Sequence, residues 1–281
     1  MNIFDKIVEN MTDPVEDGCQ PFDGEEVLER CPECGDVTRK KAMILGKPRI
    51  QHCTCTCEKA KIEAIRQAEI DAQNRRMHEV KVAKLKASGL MDTESGRCTF
   101  ETDDLSNEKI TGVMKSFVNQ WDYFRGCGTG LLLWGKVGTG KTFSACCVAN
   151  ALLDQEVPVL VTSFARIANT AWGLTKDKQA YFDDLNSFDL LVIDDLGVER
   201  KSEYMQEIVF TVIDGRIRSG KPMIITTNLT LAEMKNCTDL AYQRIYSRIL
   251  QACHPVLVDG DDKRRQKTRQ QYQDIQLMLG L

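Results

Sequence analysis

The chain has 281 residues, with 37 basic against 41 acidic side chains and a formal net charge of −4. That balance excludes a polycation holding nucleic acid by overall charge, though local patches stay open, and the length suits one large domain plus a small one. No apolar run approaches the roughly 20 residues of a membrane span, and the opening MNIFDKIVENMTD is broken by charges as a secretory leader is not, so a soluble, cytoplasmic chain with no membrane partner is expected.

In chain order, residues 1–30 carry nine acidic side chains against Lys6 and Arg30. This is either a solvated tail or an arm for a basic partner. Twelve cysteines are many for a reducing compartment, and five of them crowd between Cys31 and Cys57, which suggests a metal rather than crosslinks. Cys31-x-x-Cys34, followed by Gly35, reads as one half of a zinc knuckle, and Cys53-x-Cys55 as the other. The stretch VTRKKAMILGKPRI between them suits a hairpin. The expected Zn²⁺ ligands are Cys31, Cys34, Cys53 and Cys55, with Cys57 or His52 as substitutes. An iron–sulfur cluster or free thiols are the competing readings.

Residues 58–88 contain no Gly or Pro and have only a thin apolar stripe of Ile62, Ile65, Ala68 and Ile70, which predicts a linker helix that Gly89 ends. Residues 89–104 read as a loop and short strand, and Ser106–Phe124 as one helix. LLLW, residues 131–134, is a buried strand; Gly135-Lys-Val-Gly-Thr-Gly-Lys141-Thr142 completes G-x-x-x-x-G-K-T; and the segment from Lys141 is a helix. Strand, glycine loop and helix N-terminus together form a phosphate cradle, expected from Gly135, Val137, Gly138, Thr139, Gly140, Lys141, Thr142 and Phe143. Lys141 would reach the β- and γ-phosphates and Thr142 would ligate Mg²⁺.

Val157–Thr162 follows as a strand, Ser163–Leu174 as a helix and Lys176–Asp184 as a polar turn. Leu190–Ile193 is a buried strand ending in Asp194-Asp195, 53 positions after Lys141. An acid at the C-terminal tip of a strand beside the P-loop belongs to the Mg²⁺ shell. Asp194 is expected to support the ion and Asp195 to polarise water; the bland alternative is a capping turn. Glu203–Ser219 is an amphipathic helix, and Met223–Thr227 a strand with Asn228 at its tip, placed to hold water or sense the γ-phosphate unless it is a turn residue. Asp239–Cys253 is a last helix bearing Arg244 and Arg248. Both are either surface salt-bridge partners or a source of positive charge for a neighbouring subunit's phosphates. The tail from 261 is basic through Lys263, Arg264, Arg265, Lys267 and Arg269.

Taken together, WGKVGTGKT, FDLLVIDDLGVER, the IITTN strand end and the RIYSRI helix resemble the AAA+ helicase loaders of bacteria and phages, DnaC and DnaI type, which are close to the transposition helper IstB. The resemblance covers roughly residues 90–260. It implies an α/β P-loop NTPase whose parallel sheet is flanked by helices. No C-terminal lid is expected, because only about thirty residues follow the arginine helix. The domains it suggests are an acidic arm and zinc-binding, helicase-interacting part at 1–57, a linker helix at 58–89, an ATPase domain at 90–260 and a basic tail at 261–281. In the family's terms Asp194 and Asp195 are Walker B, Asn228 is sensor 1 and Arg248 is the trans-acting finger, with Arg244 one turn away. Arg264 or Arg265 would stand in for a lid arginine. ATP, Mg²⁺ and Zn²⁺ are the implied cofactors. The implied partners are a DnaB-type helicase, single-stranded DNA and further copies of the chain. The alternatives are an IstB-like transposase helper acting on duplex DNA, in which the cysteines are incidental, and a scaffold that binds nucleotide without hydrolysing it.

Overall fold

The computed structural model describes residues 26–45, 47–174, 177–198 and 202–279. The expected acidic arm lies outside the described residues up to position 25, as do Lys176, Glu199, Arg200 and the side chain of Lys267. The chain divides into two compact units, Met1–Met77 and His78–Leu281.

In the first unit β1 (Glu26–Arg30), β2 (Val37–Ile44) and β3 (Lys47–His52) form an antiparallel sheet in that order. The register Arg39↔His52 to Ile44↔Lys47 makes β2 and β3 the hairpin that the intervening sequence suggested. Among the described residues its buried apolar side chains are Val37 and Ala42, with Cys55 just beyond β3, a small core for burial to hold a domain on its own. Helix α1 (Thr56–Gly89) starts directly after. Its stripe residues Ile62 and Ile65 are exposed, as expected of a thin stripe with no core to pack on. The division between units falls inside this helix, at Met77.

The second unit continues with α2 (Thr93–Arg97), α3 (Glu108–Asn119), α4 (Trp121–Cys127), β4 (Gly130–Trp134) and α5 (Lys141–Asp154). Then come β5 (Val159–Ser163), α6 (Phe164–Gly173), α7 (Lys178–Ser187), β6 (Leu190–Leu196) and α8 (Glu203–Arg218). β7 (Met223–Thr227), α9 (Leu231–Lys235), α10 (Leu240–Ala252), β8 (Cys253–Leu257) and α11 (Lys263–Leu279) complete it. The sheet runs β5-β6-β7-β4-β8, with every pairing parallel.

Both faces of the sheet are covered, which explains why β4 and β6 read as continuous apolar runs rather than alternating ones. Leu132, Leu191, Ile193 and Ile225 pack against Phe164, Ile167, Val209, Ile213 and Ile249 on one side. Leu131, Leu133, Val192 and Ile224 pack against Met114, Phe117, Val148 and Leu152 on the other.

Several local expectations are corrected. Residues 89–104 hold a helical turn and no strand, because the Asp92 carboxylate accepts the Ser95 amide at 2.7 Å and caps α2. The helix expected over 106–124 breaks at Gln120 into α3 and α4. The polar turn expected from Lys176 is helix α7, which buries Phe182 and Leu185. Cys253–Leu257 is an edge strand, a position that tolerates Pro255. The basic tail is helical as α11. Finally, β6 is not beside β4: β7 lies between them, so the acids must be brought to the P-loop across one intervening strand.

Candidate functional site

The P-loop occupies the C-terminal end of β4. Gly138 (φ 81°) and Gly140 (φ 92°) hold left-handed backbone that other residues adopt at a cost. Gly140 caps α5 without a side-chain bond, which leaves the helix's first N–H groups for an anion. Lys141 is buried and folded back on the loop, donating to the carbonyls of Gly135 at 3.0 Å and Lys136 at 2.6 Å. Burial pushes its pKa down, opposed by Asp195 and Asp194.

The β6 acids meet this loop through one hydrogen-bonded node. Asp194 Oδ1 accepts from Thr142 Oγ1 at 2.8 Å and from Thr226 Oγ1 at 2.6 Å. Thr226, on the intervening β7, also accepts the Asp195 amide at 2.9 Å, so one hydroxyl donates to one acid and fixes the backbone of the next. Sequence reading missed Thr226, because its role exists only once β7 lies between β4 and β6. Asp194 is buried and Asp195 exposed. Asp195 sits at φ 57°, left-handed backbone within β6 where its register with β7 slips between Ile193 and Leu196. Partial desolvation of its carboxyl in the cleft raises its pKa and the Asp194 charge adds to the rise, while Arg264 and Lys141 oppose it.

These groups line one cleft of about 810 Å³, within the size range of a small-ligand site. Val137, Gly138, Gly140, Lys141, Thr142, Phe143, Asp194, Asp195 and Asn228 all line it. Asp92, Ser95, Cys98 and Thr102 to Asp104 form one wall and Lys263 with Arg264 the other. The C-terminal segment is strapped to the P-loop: the Lys263 amide donates to the Gly138 carbonyl at 3.0 Å. Lys263 Nζ pairs with Asp104 at 2.8 Å and holds that carboxyl down at about 2. A Cβ on Gly138 would lie 2.0 Å from Asp262 Oδ1. Of the two tail arginines, Arg264 faces the cleft, whereas Arg265 pairs with Asp262 at 3.3 Å.

Arg244 and Arg248 are not among the residues lining this cleft. Arg248 is paired with Asp214, which also takes Arg218 at 2.7 Å, and its guanidinium sits 5.1 Å from the Phe210 ring centre. Arg244 is exposed and has no ion pair among the described residues.

In the first unit the Sγ atoms of Cys31, Cys34, Cys55 and Cys57 all lie within 4.8 Å of one another. Cys57 is 3.1 Å from Cys55 and 3.4 Å from Cys31. Four thiolates about 2.3 Å from one Zn²⁺ sit about 3.8 Å apart, so donor set and spacing fit that ion. The gathered sulfurs include Cys57, the substitute that the sequence offered, and leave out Cys53. The Cys53 amide still bonds the Thr38 carbonyl at 2.9 Å and stays in the sheet ladder. The chain then turns into α1, whose first turn returns Cys57 to the knuckle, anchored by the Thr56 amide on Asp36 Oδ2 at 2.8 Å. Neither Cys53 nor His52 is in the cluster. Backbone amides of Cys34 and Glu33 lower the Cys31 thiol to about 7, toward the thiolate a metal needs.

A further surface carries no motif. Trp172 is 75% exposed and stands edge-on to Tyr204 with ring centres 5.3 Å apart. Lys178 Nζ lies 5.9 Å from the Tyr204 ring. An exposed Trp on an otherwise polar helix face was the one available signal.

A sequence profile of the family described as IstB-like ATP binding protein matches residues 58–271. The replicative helicase loader DnaC of Escherichia coli (strain K12) is 28% identical over 190 residues, covering 66% of this chain and 75% of that protein. The replicative helicase loader DnaI of Bacillus subtilis (strain 168) is 27% identical over 187 residues, covering 59% of this chain and 58% of that protein. Among solved structures, one of DnaI superposes with a TM-score of 0.52 at 22% identity, over 63% of this chain and 95% of that one. One of the DnaC helicase loader superposes at 0.50 and 23% identity, over 60% and 100%. At these identities the structures speak for the fold.

Proposed function

This chain belongs to the IstB-like ATP binding protein family, and on that premise we propose that it is an ATP-hydrolysing loader of a ring-shaped replicative helicase onto single-stranded DNA. The observation that carries the reading is the Thr142–Asp194–Thr226 node inside a cleft that also holds Lys141 and Asp195. Bound Mg²⁺–ATP supplies a γ-phosphoryl group whose charge the ion partly neutralises. Thr142 and Asp194 hold the ion's side of the cleft. Lys141 exchanges its loop carbonyls for phosphate oxygens, and its already lowered pKa reflects the desolvated place it keeps for them. Asp195, held above the ordinary carboxylate range by desolvation and the Asp194 charge, is the group that takes a proton from water, and Asn228 orients that water from the tip of β7. Arg264 meets the phosphates from the chain's own side. An arginine of α10 meets a neighbour's, either Arg248 after leaving Asp214 or the unpaired Arg244.

The four-cysteine knuckle holds Zn²⁺ through Cys31, Cys34, Cys55 and Cys57 and forms the helicase-binding part. The ion supplies folding free energy that the small core lacks. Trp172, Tyr204 and Lys178 form a platform on which bases stack beside a phosphate-binding charge. The domain plan that follows is a metal-bearing part at 1–57, a linker helix at 58–89, an ATPase domain at 90–260 and a basic tail from 261. The names of the DnaC and DnaI relatives favour this over a transposase helper.

The test uses the full chain. Lys141→Ala is expected to lose nucleotide, and Asp195→Asn to keep it while hydrolysis falls about 100- to 10,000-fold. Trp172→Ala should weaken binding to a single-stranded oligonucleotide by roughly 5- to 150-fold, the worth of one stacked base. Co-purification with a hexameric helicase should disappear on zinc chelation while nucleotide binding persists. Tight nucleotide binding by Lys141→Ala, or unchanged turnover by Asp195→Asn, would refute the ATPase reading; capture of a transposase in place of a helicase would refute the partner.

A further inference from the structure

The nucleotide cleft contains two cysteines that the reaction does not use. Cys98 follows α2 and Cys146 lies in α5, and both line the cleft. One side chain draws their backbones together: Asn150 Nδ2 donates to the carbonyls of Ser95 at 2.8 Å, Cys98 at 2.9 Å and Cys146 at 3.0 Å. Asn150 is itself buried, so this anchor is part of the core. Cys98 Sγ donates to the Glu94 carbonyl at 3.4 Å, and neither thiol is in a disulfide. Cys98 is half-buried and Cys146 buried, so a reagent from solvent meets Cys98 first. The two thiols shift in opposite directions: the neighbouring Cys146 thiol lowers the Cys98 pKa, while the Cys98 thiol and burial raise that of Cys146. A favoured thiolate at the surface with a protonated thiol behind it is the arrangement of an attacking and a resolving cysteine. Cys147, the next residue, is buried and does not line the cleft.

We propose that Cys98 and Cys146 form a redox-active dithiol within the nucleotide cleft, which a peroxide converts to an intramolecular disulfide and which bound nucleotide shields. The shielding rests on the nucleotide reading above; the disulfide does not. The Cys98 thiolate attacks one peroxide oxygen, the O–O bond breaks, and the departing hydroxide takes a proton to become water. Cys146 sulfur then attacks the Cys98 sulfenic acid, the S–O bond breaks, and the second hydroxide leaves as water with the Cys146 proton. The pair loses two electrons and the peroxide gains them; a dithiol reductant reverses the step.

The experiment treats the full chain with hydrogen peroxide, with and without Mg²⁺–ATP, then digests it with trypsin without reduction for mass spectrometry. Cys98 falls in peptide 98–109 and Cys146 with Cys147 in peptide 142–166. The expected product is these two peptides joined with the loss of two hydrogens, retained in Cys147→Ala and absent in Cys146→Ala. Nucleotide at 100 times its Kd should slow the joining about 100-fold, the share of clefts left empty. Joining that persists in Cys146→Ala, or peroxide stopping at Cys98 sulfinic acid with no joined peptide, overturns the dithiol. Joining at the same rate with a filled cleft overturns the shielding alone, and is distinguishable from failure of the nucleotide reading because nucleotide occupancy is measured in the same sample.

Discussion

The two units solve the problem of staying folded in different ways. The sheet of the second unit is covered on both faces, and Leu132, Leu133, Leu190, Leu191 and Ile193 are wholly removed from water. The hairpin sheet of the first buries only Val37 and Ala42 as apolar side chains, and its Lys47–His52 strand is exposed along its whole length. What converges there is sulfur. A core that scales with volume holds one unit; in the other, four thiols gather at one point, where the proposed zinc would supply the folding energy. The difference teaches where each is vulnerable: the first to loss of a single ligand, the second to loss of packed volume.

The largest expected effect separates them outright. Stripping zinc, or Cys57→Ser, should abolish amide-exchange protection across residues 26–57 and leave β4, β6 and β7 protected. Cys53→Ser should keep both metal content and protection. Zinc retained by Cys57→Ser and lost by Cys53→Ser would reverse the ligand assignment. The converse experiment is Leu133→Ala, which opens a cavity under β4 and should destabilise the second unit by about 2–5 kcal/mol in urea unfolding. Zinc content should not change; a parallel loss of metal would mean the two units do not stand independently.

A smaller effect tests whether the site shares the core's stability. Thr226→Val keeps the volume but removes one of the two donors to Asp194 Oδ1 and leaves the Asp195 amide without its acceptor, costing about 1–3 kcal/mol and lowering turnover through misplaced acids. Wild-type stability and turnover in this variant would remove Thr226 from the node. The smallest concerns the strap across the P-loop. Asp104 is depressed from its ordinary 3.8 to about 2 by Lys263, so its contribution is present above about pH 4 and lost as pH falls toward 2. The pair is exposed, so the change is slight. Asp104→Asn should flatten the difference in melting temperature between pH 4 and pH 2 relative to wild type.

Much of the site was legible in the chain because its chemistry is local. The residues from Gly135 to Phe143 lie in one loop and one helix turn, and Asp194-Asp195 end one strand, so spacing alone brings each group together. Where meaning depended on a neighbour in space, reading failed. Lys178–Ser187 looked like a polar turn because its two buried residues, Phe182 and Leu185, are sparse between charges. Cys253–Leu257 drew no strand assignment, because His254 and Pro255 break the apolar run and suit only an edge position. Cys53 and Cys57 were equivalent by spacing, and the ladder bond to Thr38 with the start of α1 at Thr56 decided between them.

Short-range pattern by itself determined the P-loop, the acid-tipped strand and the presence of a cysteine knuckle, since turn geometry and apolar runs are encoded within a few residues. Tertiary structure alone decided that β7 stands between β4 and β6, that Thr226 therefore joins Asp194 to Asp195, and that Arg248 rests on Asp214 while Arg264 lines the P-loop cleft. Strand order and long-range pairing arise from how whole faces pack, a quantity no single stretch of residues contains.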